Sequence, residues 1–333
     1  MKKIELWHFA EFVRQILGGV LFARLQSFLK FILAFRKEYS YWGTRSKFTT
    51  QTYVFMIDGK TIHGGMSDRF RGAMSIYSYC KKYNKQFKIC WTYPFNLQDY
   101  LQPASVKWIA ERNDLSFNLR DVSVKFFNTY TGLDGKPEEY YSLLKSKKKE
   151  IHVYSNISIE EELYSDYFKE LFVPVPRLQS QIDNCIEEIG RKYVSVTLRF
   201  IGLLGDFKDD TRWLKNESGI CPEEYIERCM ECIDNLHAQY PNYRILVTAD
   251  SPKFLKAAES ISYVYVIPGN IVHMDFTDEG DYTLHLKPFV DFYMVSMAEK
   301  CFIYHIGEMF KYTRFAKTAA LVGGKELETI NEE

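Results

Sequence analysis

The chain has 333 residues, enough for two α/β domains of ordinary size. Apolar residues make up 46%, charged residues 26%, and the formal net charge is +0. That composition is globular and lacks the basic excess of a nucleic-acid binder, so nucleic acid is not expected as a partner.

The chain opens Met1-Lys2-Lys3, like a signal peptide, but Glu5, Glu11 and Arg14 interrupt any apolar segment of that kind. From Phe9 to Phe35 apolar residues recur at positions 9, 12, 13, 16, 17, 20, 21, 25, 28, 29, 32 and 33. The three-four spacing predicts a long amphipathic helix, and residues 1–40 are read as a helical arm. It lacks the run of about 18 uncharged apolar residues that a membrane span needs. Arg14, Arg24, Lys30, Arg36 and Lys37 suit an arm lying on an anionic inner-membrane surface, or packed on its own protein or a second copy.

Residues 41–174 are expected to form a first Rossmann-like domain. Tyr53 to Ile57 reads as a strand. A glycine-bearing loop follows (Asp58-Gly59-Lys60-Thr61-Ile62-His63-Gly64-Gly65), then a helix over about 67–83. Ser67 or Asp68 serves as its N-cap. Phe87 to Trp91 is the next strand. Glycines at such a turn let backbone N–H groups approach a phosphate or sugar. Arg69 and Arg71 place positive charge at the helix start, where carboxylates usually sit, which makes sense if an anion binds there. Further on, Val122 to Phe127 reads as a strand, Tyr140 to Lys149 as a helix ending in a lysine run, and Ile151 to Tyr154 as a strand. Val173-Pro174-Val175-Pro176 breaks the pattern and is taken as the domain junction.

Residues 175–333 alternate strand and helix, which predicts a second parallel sheet. Its first strand, Tyr193-Val194-Ser195-Val196-Thr197-Leu198, delivers Arg199 to its C-terminal end. In open α/β sheets ligands bind beyond those ends, and an arginine there can fork onto a phosphate. Helices are expected over 178–189, 222–240, 252–259, 289–300 and 314–322, and strands over 244–248, 263–267 and 301–304. Cys229 and Cys232 form a C-x-x-C inside the 222–240 helical pattern, without a second pair. They read as reduced thiols on a helix.

Four blocks, in order, resemble GT-B glycosyltransferases of the fucosyltransferase superfamily, which includes α-1,2-, α-1,6- and protein O-fucosyltransferases. They cover roughly residues 50–325. The first is His63-Gly64-Gly65-Met66-Ser67-Asp68-Arg69-Phe70-Arg71-Gly72, similar to the family's glycine-rich loop and helix. The second is Val194 to Arg199, where Thr197 stands at the family's usual histidine. The third is Ile245-Leu246-Val247-Thr248-Ala249-Asp250-Ser251. The fourth is the acidic helix beginning Asp291-Phe292-Tyr293, followed by Tyr312-Thr313-Arg314-Phe315-Ala316. The resemblance implies a GT-B fold, in which two Rossmann-like domains face each other across a cleft. The first domain would take the acceptor and the second the nucleotide sugar. It implies GDP-fucose as donor, with Arg199 on the β-phosphate and Thr313 near the phosphates in place of the usual serine.

The chemical problem is the leaving group. Breaking a sugar–phosphate bond leaves a negatively charged nucleoside diphosphate that metal or fixed donors must stabilise. The sequence contains no D-x-D triplet, so Arg199, Thr313 and helix-terminus N–H groups are assigned that role, with no metal and no other cofactor. Gly64, Gly65, Arg69, Thr197, Asp250, Ser251, His273, Asp291, Arg314 and Phe315 complete the expected donor site. Asp250 or Asp291 would accept from ribose or base, although both also fit helix-start roles. Asp68 and Asp275 are the candidate general bases. The expected function is inverting, metal-independent fucosyl transfer to a glycan or lipid-linked oligosaccharide in bacterial surface polysaccharide synthesis, in the cytoplasm. The alternatives are another nucleotide sugar, or a non-catalytic glycan-assembly protein that keeps the shell.

Overall fold

The computed structural model describes residues 11–207, 220–272, 274, 282–311 and 313–332. The chain divides into two units, Met1–Leu97 with Pro103–Val173, and Gln98–Gln102 with Pro174–Glu333.

The first unit contains α1 (Gly19–Lys30), β1 (Thr52–Ile57), α2 (Met66–Lys82), β2 (Gln86–Trp91), β3 (Val122–Phe127), α3 (Pro137–Leu144), β4 (Glu150–Ser155) and α4 (Tyr164–Leu171). The strands form one parallel sheet in the order β2-β1-β4-β3. β1 and β4 are buried along their whole length, as expected of central strands covered on both faces. Gly72 lies where α2 presses on β4. A Cβ there would stand 2.0 Å from the Ser155 carbonyl oxygen, so only glycine permits this helix–sheet approach.

The helix expected without interruption over Phe9 to Phe35 is broken. Residues 11–17 are helical, Gly18 turns left-handed at φ 74°, α1 follows, and Phe31–Phe35 winds as a π turn. Phe35 then inserts into the core with Val54, Met56, Val122 and Tyr154. It stacks on Tyr154 with centroids 4.3 Å apart. The apolar period alone does not register a glycine's freedom to end a turn. The helix expected over 140–149 also moves. α3 opens on Pro137, which suits a first helical turn, and ends at Leu144.

The second unit contains α5 (Pro176–Ile189), β5 (Tyr193–Leu198), α6 (Pro222–Gln239), β6 (Arg244–Ala249), α7 (Pro252–Ala258), β7 (Val264–Tyr265), α8 (Tyr282–Met297), β8 (Cys301–Ile306), α9 (Arg314–Gly323) and β9 (Leu327–Glu332). Its sheet is parallel throughout, in the order β9-β8-β5-β6-β7. Val194, Val196, Leu198, Ile245, Val247, Phe302 and Ile306 fill the core of this unit. Each contributes roughly 1.5–3 kcal/mol of burial. Cys229 and Cys232 lie buried on α6 in the same core, and burial raises both thiol pKa values.

Two elements differ from expectation. α8 begins at Tyr282, ahead of the expected 289, and carries Pro288 inside it. The proline misled the boundary, since a proline usually marks a helix edge. β9 was not anticipated. Leu327-Glu328-Thr329-Ile330-Asn331-Glu332 is an edge strand with little burial, so it carries almost no apolar signal.

Counted from β5, the second sheet has the doubly wound order 3-2-1-4-5 read from its β7 edge. The order reverses between β5 and β8. That switch point leaves a crevice beyond the C-terminal ends of the two strands, where such sheets bind ligands.

Candidate functional site

Arg199 follows β5 directly, at the switch point. The β-branched run that builds the strand therefore also aims the arginine at the crevice. Its side chain is 27% exposed, and Asp250 Oδ2 lies 3.4 Å from its Nε. Its guanidinium carbon sits 5.7 Å from the Phe207 ring centroid, a cation–π distance. The Phe310 amide donates to the Arg199 carbonyl at 2.9 Å, which ties the loop after β8 to the end of β5.

Asp250 is buried. It accepts from the Phe200 amide at 2.7 Å and the Ile201 amide at 2.8 Å. Burial pushes its carboxyl pKa up, while Arg199 and these amides pull it down. The two bonds hold Ile201 at φ 51°, a left-handed conformation that costs a β-branched residue free energy and persists only when its surroundings impose it. The helix N-cap role falls to Ser251 instead, whose Oγ accepts from the Phe254 amide at 3.1 Å and donates to Asp206 Oδ2 at 2.7 Å. Thr197 is buried, and its Oγ1 lies 2.8 Å from Thr248 Oγ1. Of these three, Asp250 is the one that lies against Arg199.

Thr313 is the N-cap of α9 and makes no side-chain capping bond. A helix N-terminus without a side-chain cap directs its N–H groups and positive dipole end at whatever anion approaches. Arg314 is the first residue of that helix, and Phe315 packs edge-on against Phe292 at 5.9 Å. Asp291 accepts from Lys287 Nζ at 2.8 and 3.0 Å, one turn earlier on α8. Burial pushes the Asp291 carboxyl up, and Lys287 opposes it. Sequence reading missed Lys287, although its i,i+4 spacing from Asp291 was a usable signal. His273 and Asp275 lie outside the described residues.

In the first unit the glycine loop follows the C-terminal end of β1, a central strand of its sheet. Gly64 adopts φ 81°, and a Cβ there would meet Asp68 Oδ2 at 2.6 Å, so this turn requires glycine. Gly65 is the N-cap of α2. Arg69 is fully buried. It donates to the Gly64 carbonyl at 3.0 Å and the Tyr93 carbonyl at 2.7 Å, and lies over the Trp91 ring at 5.3 Å. Arg71 donates to Asp68 Oδ1 at 2.6 Å and the Asn156 carbonyl at 3.0 Å. Of the two arginines expected to face an anion, Arg69 thus braces the glycine loop, and Arg71 ties the first turn of α2 to the residue after β4.

A buried polar set beside them was not foreseen. Asp58, the residue after β1, accepts from Tyr154 Oη at 2.9 Å and Arg112 Nη1 at 3.3 Å. The Gly59 amide donates to His63 Nε2 at 3.1 Å. Burial, Arg69 and Lys30 hold the His63 pKa well below its ordinary value, so its ring is neutral at pH 7. Asp58 had a signal, an acid placed directly after an apolar strand. The Lys60 amide also donates to it, at 3.1 Å, but its side-chain partners Tyr154 and Arg112 come from distant segments and had none.

No family model matches the sequence, and no curated protein matches it. Solved structures do. The NodZ α-1,6-fucosyltransferase co-crystallized with GDP superposes with a TM-score of 0.52 at 14% identity, over 83% of this chain and 93% of that one. Fucosyltransferase NodZ from Bradyrhizobium gives 0.51 at 14%, over 83% and 94%. A mutant of Arabidopsis thaliana FUT1 in complex with GDP gives 0.52 at 10%, over 92% and 75%. Likeness at such identities is one of fold, and fold alone does not fix a function. The chain has the fold of these GT-B fucosyltransferases, with a parallel α/β sheet in each of its two units.

Proposed function

We propose that the protein is a glycosyltransferase that moves fucose from GDP-fucose to a hydroxyl of a glycan or lipid-linked oligosaccharide. It acts with inversion and without a metal, in assembling a bacterial surface polysaccharide on the cytoplasmic side. The observation that carries this reading is Arg199 at the switch point of a doubly wound sheet, in a chain whose fold matches proteins solved with GDP.

The second unit binds the nucleotide in this reading. The departing diphosphate gains negative charge in the transition state. Arg199 and the first-turn amides of α9 meet it with fixed positive charge, which needs no reorganisation at the moment of reaction. The Thr313 hydroxyl and Arg314 add donors. Asp250 acts as a positioning residue, since it holds the Phe200–Ile201 backbone and faces Arg199. Asp68 or Asp275 takes the acceptor proton; for Asp68 this means leaving its bond to Arg71.

Titration with GDP, UDP, GDP-fucose and GDP-mannose, read as melting temperature, tests the donor, because a ligand that binds the native state raises it. GDP should stabilise more than UDP, and equal stabilisation by UDP would refute the GDP assignment. Transfer should persist in EDTA; strict dependence on an added divalent cation would refute the metal-independent step. A different nucleotide sugar is the second reading. It is favoured by Thr197, which stands at the family's histidine and is paired with Thr248.

A further inference from the structure

α1 carries its apolar face outward. Leu21, Leu25, Phe28 and Leu29 share one side by helical spacing and are 40% to 60% exposed, and Leu33 beyond them is 82% exposed. The opposite side is the one that packs. Phe22 and Ala23 are buried there, Ser27 Oγ accepts from the Phe126 amide at 3.0 Å, and Lys30 Nζ lies 5.1 Å over the Phe126 ring. A surface helix ordinarily buries its apolar stripe, and a contiguous exposed one marks an interaction face.

Beside this stripe runs a groove of about 360 Å³ between α1, β3 and α3, in which Arg24, Lys125 and Lys145 stand among Phe28, Phe31 and Phe127. Those three basic groups make no hydrogen bond or ion pair with a described residue. Burial and the neighbouring Arg24 push the Lys125 pKa down, so an anion here would relieve a real electrostatic cost. From Phe12 to Lys37 the sequence holds five basic side chains and no acidic one.

We propose that α1 and this groove seat the first unit on an anionic bilayer surface. Leu21, Leu25, Phe28 and Leu29 enter the headgroup–acyl boundary, and Arg24, Lys125 and Lys145 hold lipid phosphates. The combination of apolar stripe and flanking cations is what binds a helix in the plane of such a surface. A second copy of the chain fits worse, because a two-fold contact through the stripe would bring each copy's basic groups together without acids to answer them. Among the described residues no helix is long and apolar enough to cross a membrane, so the contact is one of lying on the surface. The inference rests on residues of the first unit alone and does not depend on the donor.

The test uses the full chain with phosphatidylcholine vesicles made with and without phosphatidylglycerol. The wild-type protein should sediment with the anionic vesicles, remain in solution with the neutral ones, and be released at high salt. Leu25→Glu with Phe28→Glu should weaken partition by at least about tenfold. Lys125→Glu with Lys145→Glu should weaken it by about tenfold and erase the preference for phosphatidylglycerol. Melting temperatures of both double variants control for folding, and the comparison of vesicles on wild-type protein needs no variant. Equal sedimentation with both vesicle types, or with neither, would overturn the proposal. So would release by inorganic phosphate at matched phosphate concentration, which would make the groove a free-anion site. A wild-type dimer in lipid-free buffer that Leu25→Glu with Phe28→Glu converts to monomer would assign the stripe to a second copy instead.

Discussion

Each unit sets an arginine at the C-terminal side of a parallel sheet, and the two arginines do different work. Arg69 is fully buried, bonded to the Gly64 and Tyr93 carbonyls and laid over Trp91. Arg199 keeps 27% of its side-chain surface in solvent, with a buried carboxylate beneath it. The sequence presents both alike, as an arginine near a strand-to-helix turn. Burial separates them. A guanidinium enclosed by backbone carbonyls braces a loop, whereas one held from below at a switch point can meet an incoming anion.

The largest effect expected from this contrast is on catalysis. Arg199→Ala should lower turnover by roughly a thousandfold or more, since the charge it meets grows in the transition state. GDP affinity should fall about ten- to a hundredfold, from the loss of a charge-assisted contact of about 1.5–3 kcal/mol. Its melting temperature should fall, because the buried Asp250 carboxylate loses its neighbouring cation, but the variant should stay folded, since Asp250 keeps the Phe200 and Ile201 amides. GDP titration and turnover on the folded variant decide the matter, and wild-type values there would break the contrast outright.

Arg69→Ala should do the reverse. Losing two charge-assisted bonds and the volume against Trp91 should cost about 3–5 kcal/mol of stability, read from urea unfolding. If this variant unfolds like wild type but binds GDP poorly, Arg69 belongs to the site rather than to the brace.

Acidification should separate the units more gently. His63 holds its proton less well folded than unfolded. Below its ordinary pKa the unfolded chain then binds more protons, and stability falls with pH. The loss begins near pH 6.5 and reaches at most about 1.4 kcal/mol per pH unit below it. His63→Gln should flatten that slope between pH 6.5 and 5, and an unchanged slope would remove His63 from the account. Asp58 works with the opposite sign at lower pH, because burial raises its carboxyl pKa, so the difference between wild type and variant is the quantity to compare.

The smallest effect should come from Thr197→Val. It leaves Thr248 without its hydroxyl partner at a cost of about 1 kcal/mol, and GDP affinity should stay within about threefold of wild type. A larger drop in affinity would bring Thr197 into contact with the nucleotide and sharpen the question of the donor.

Sequence alone determined what local pattern encodes. The β-branched run Tyr193–Leu198 is a strand, Arg199 follows its end, Pro222 opens α6, and alternating elements make parallel sheets. These follow from side-chain period and backbone preference, which neighbouring residues set. Only the tertiary structure decided what pairs through space. Phe200 and Ile201 turn Asp250 inward to their amides, Ser251 takes the cap, Arg69 disappears beneath the glycine loop, and Asp58 meets Tyr154 from 96 positions away. The strand order that creates the switch point beside Arg199 is likewise invisible to periodicity, because β5, β6 and β8 read alike as short apolar runs. Which strand lies next to which depends on hydrogen bonds between segments far apart in the chain, and no local spacing records those.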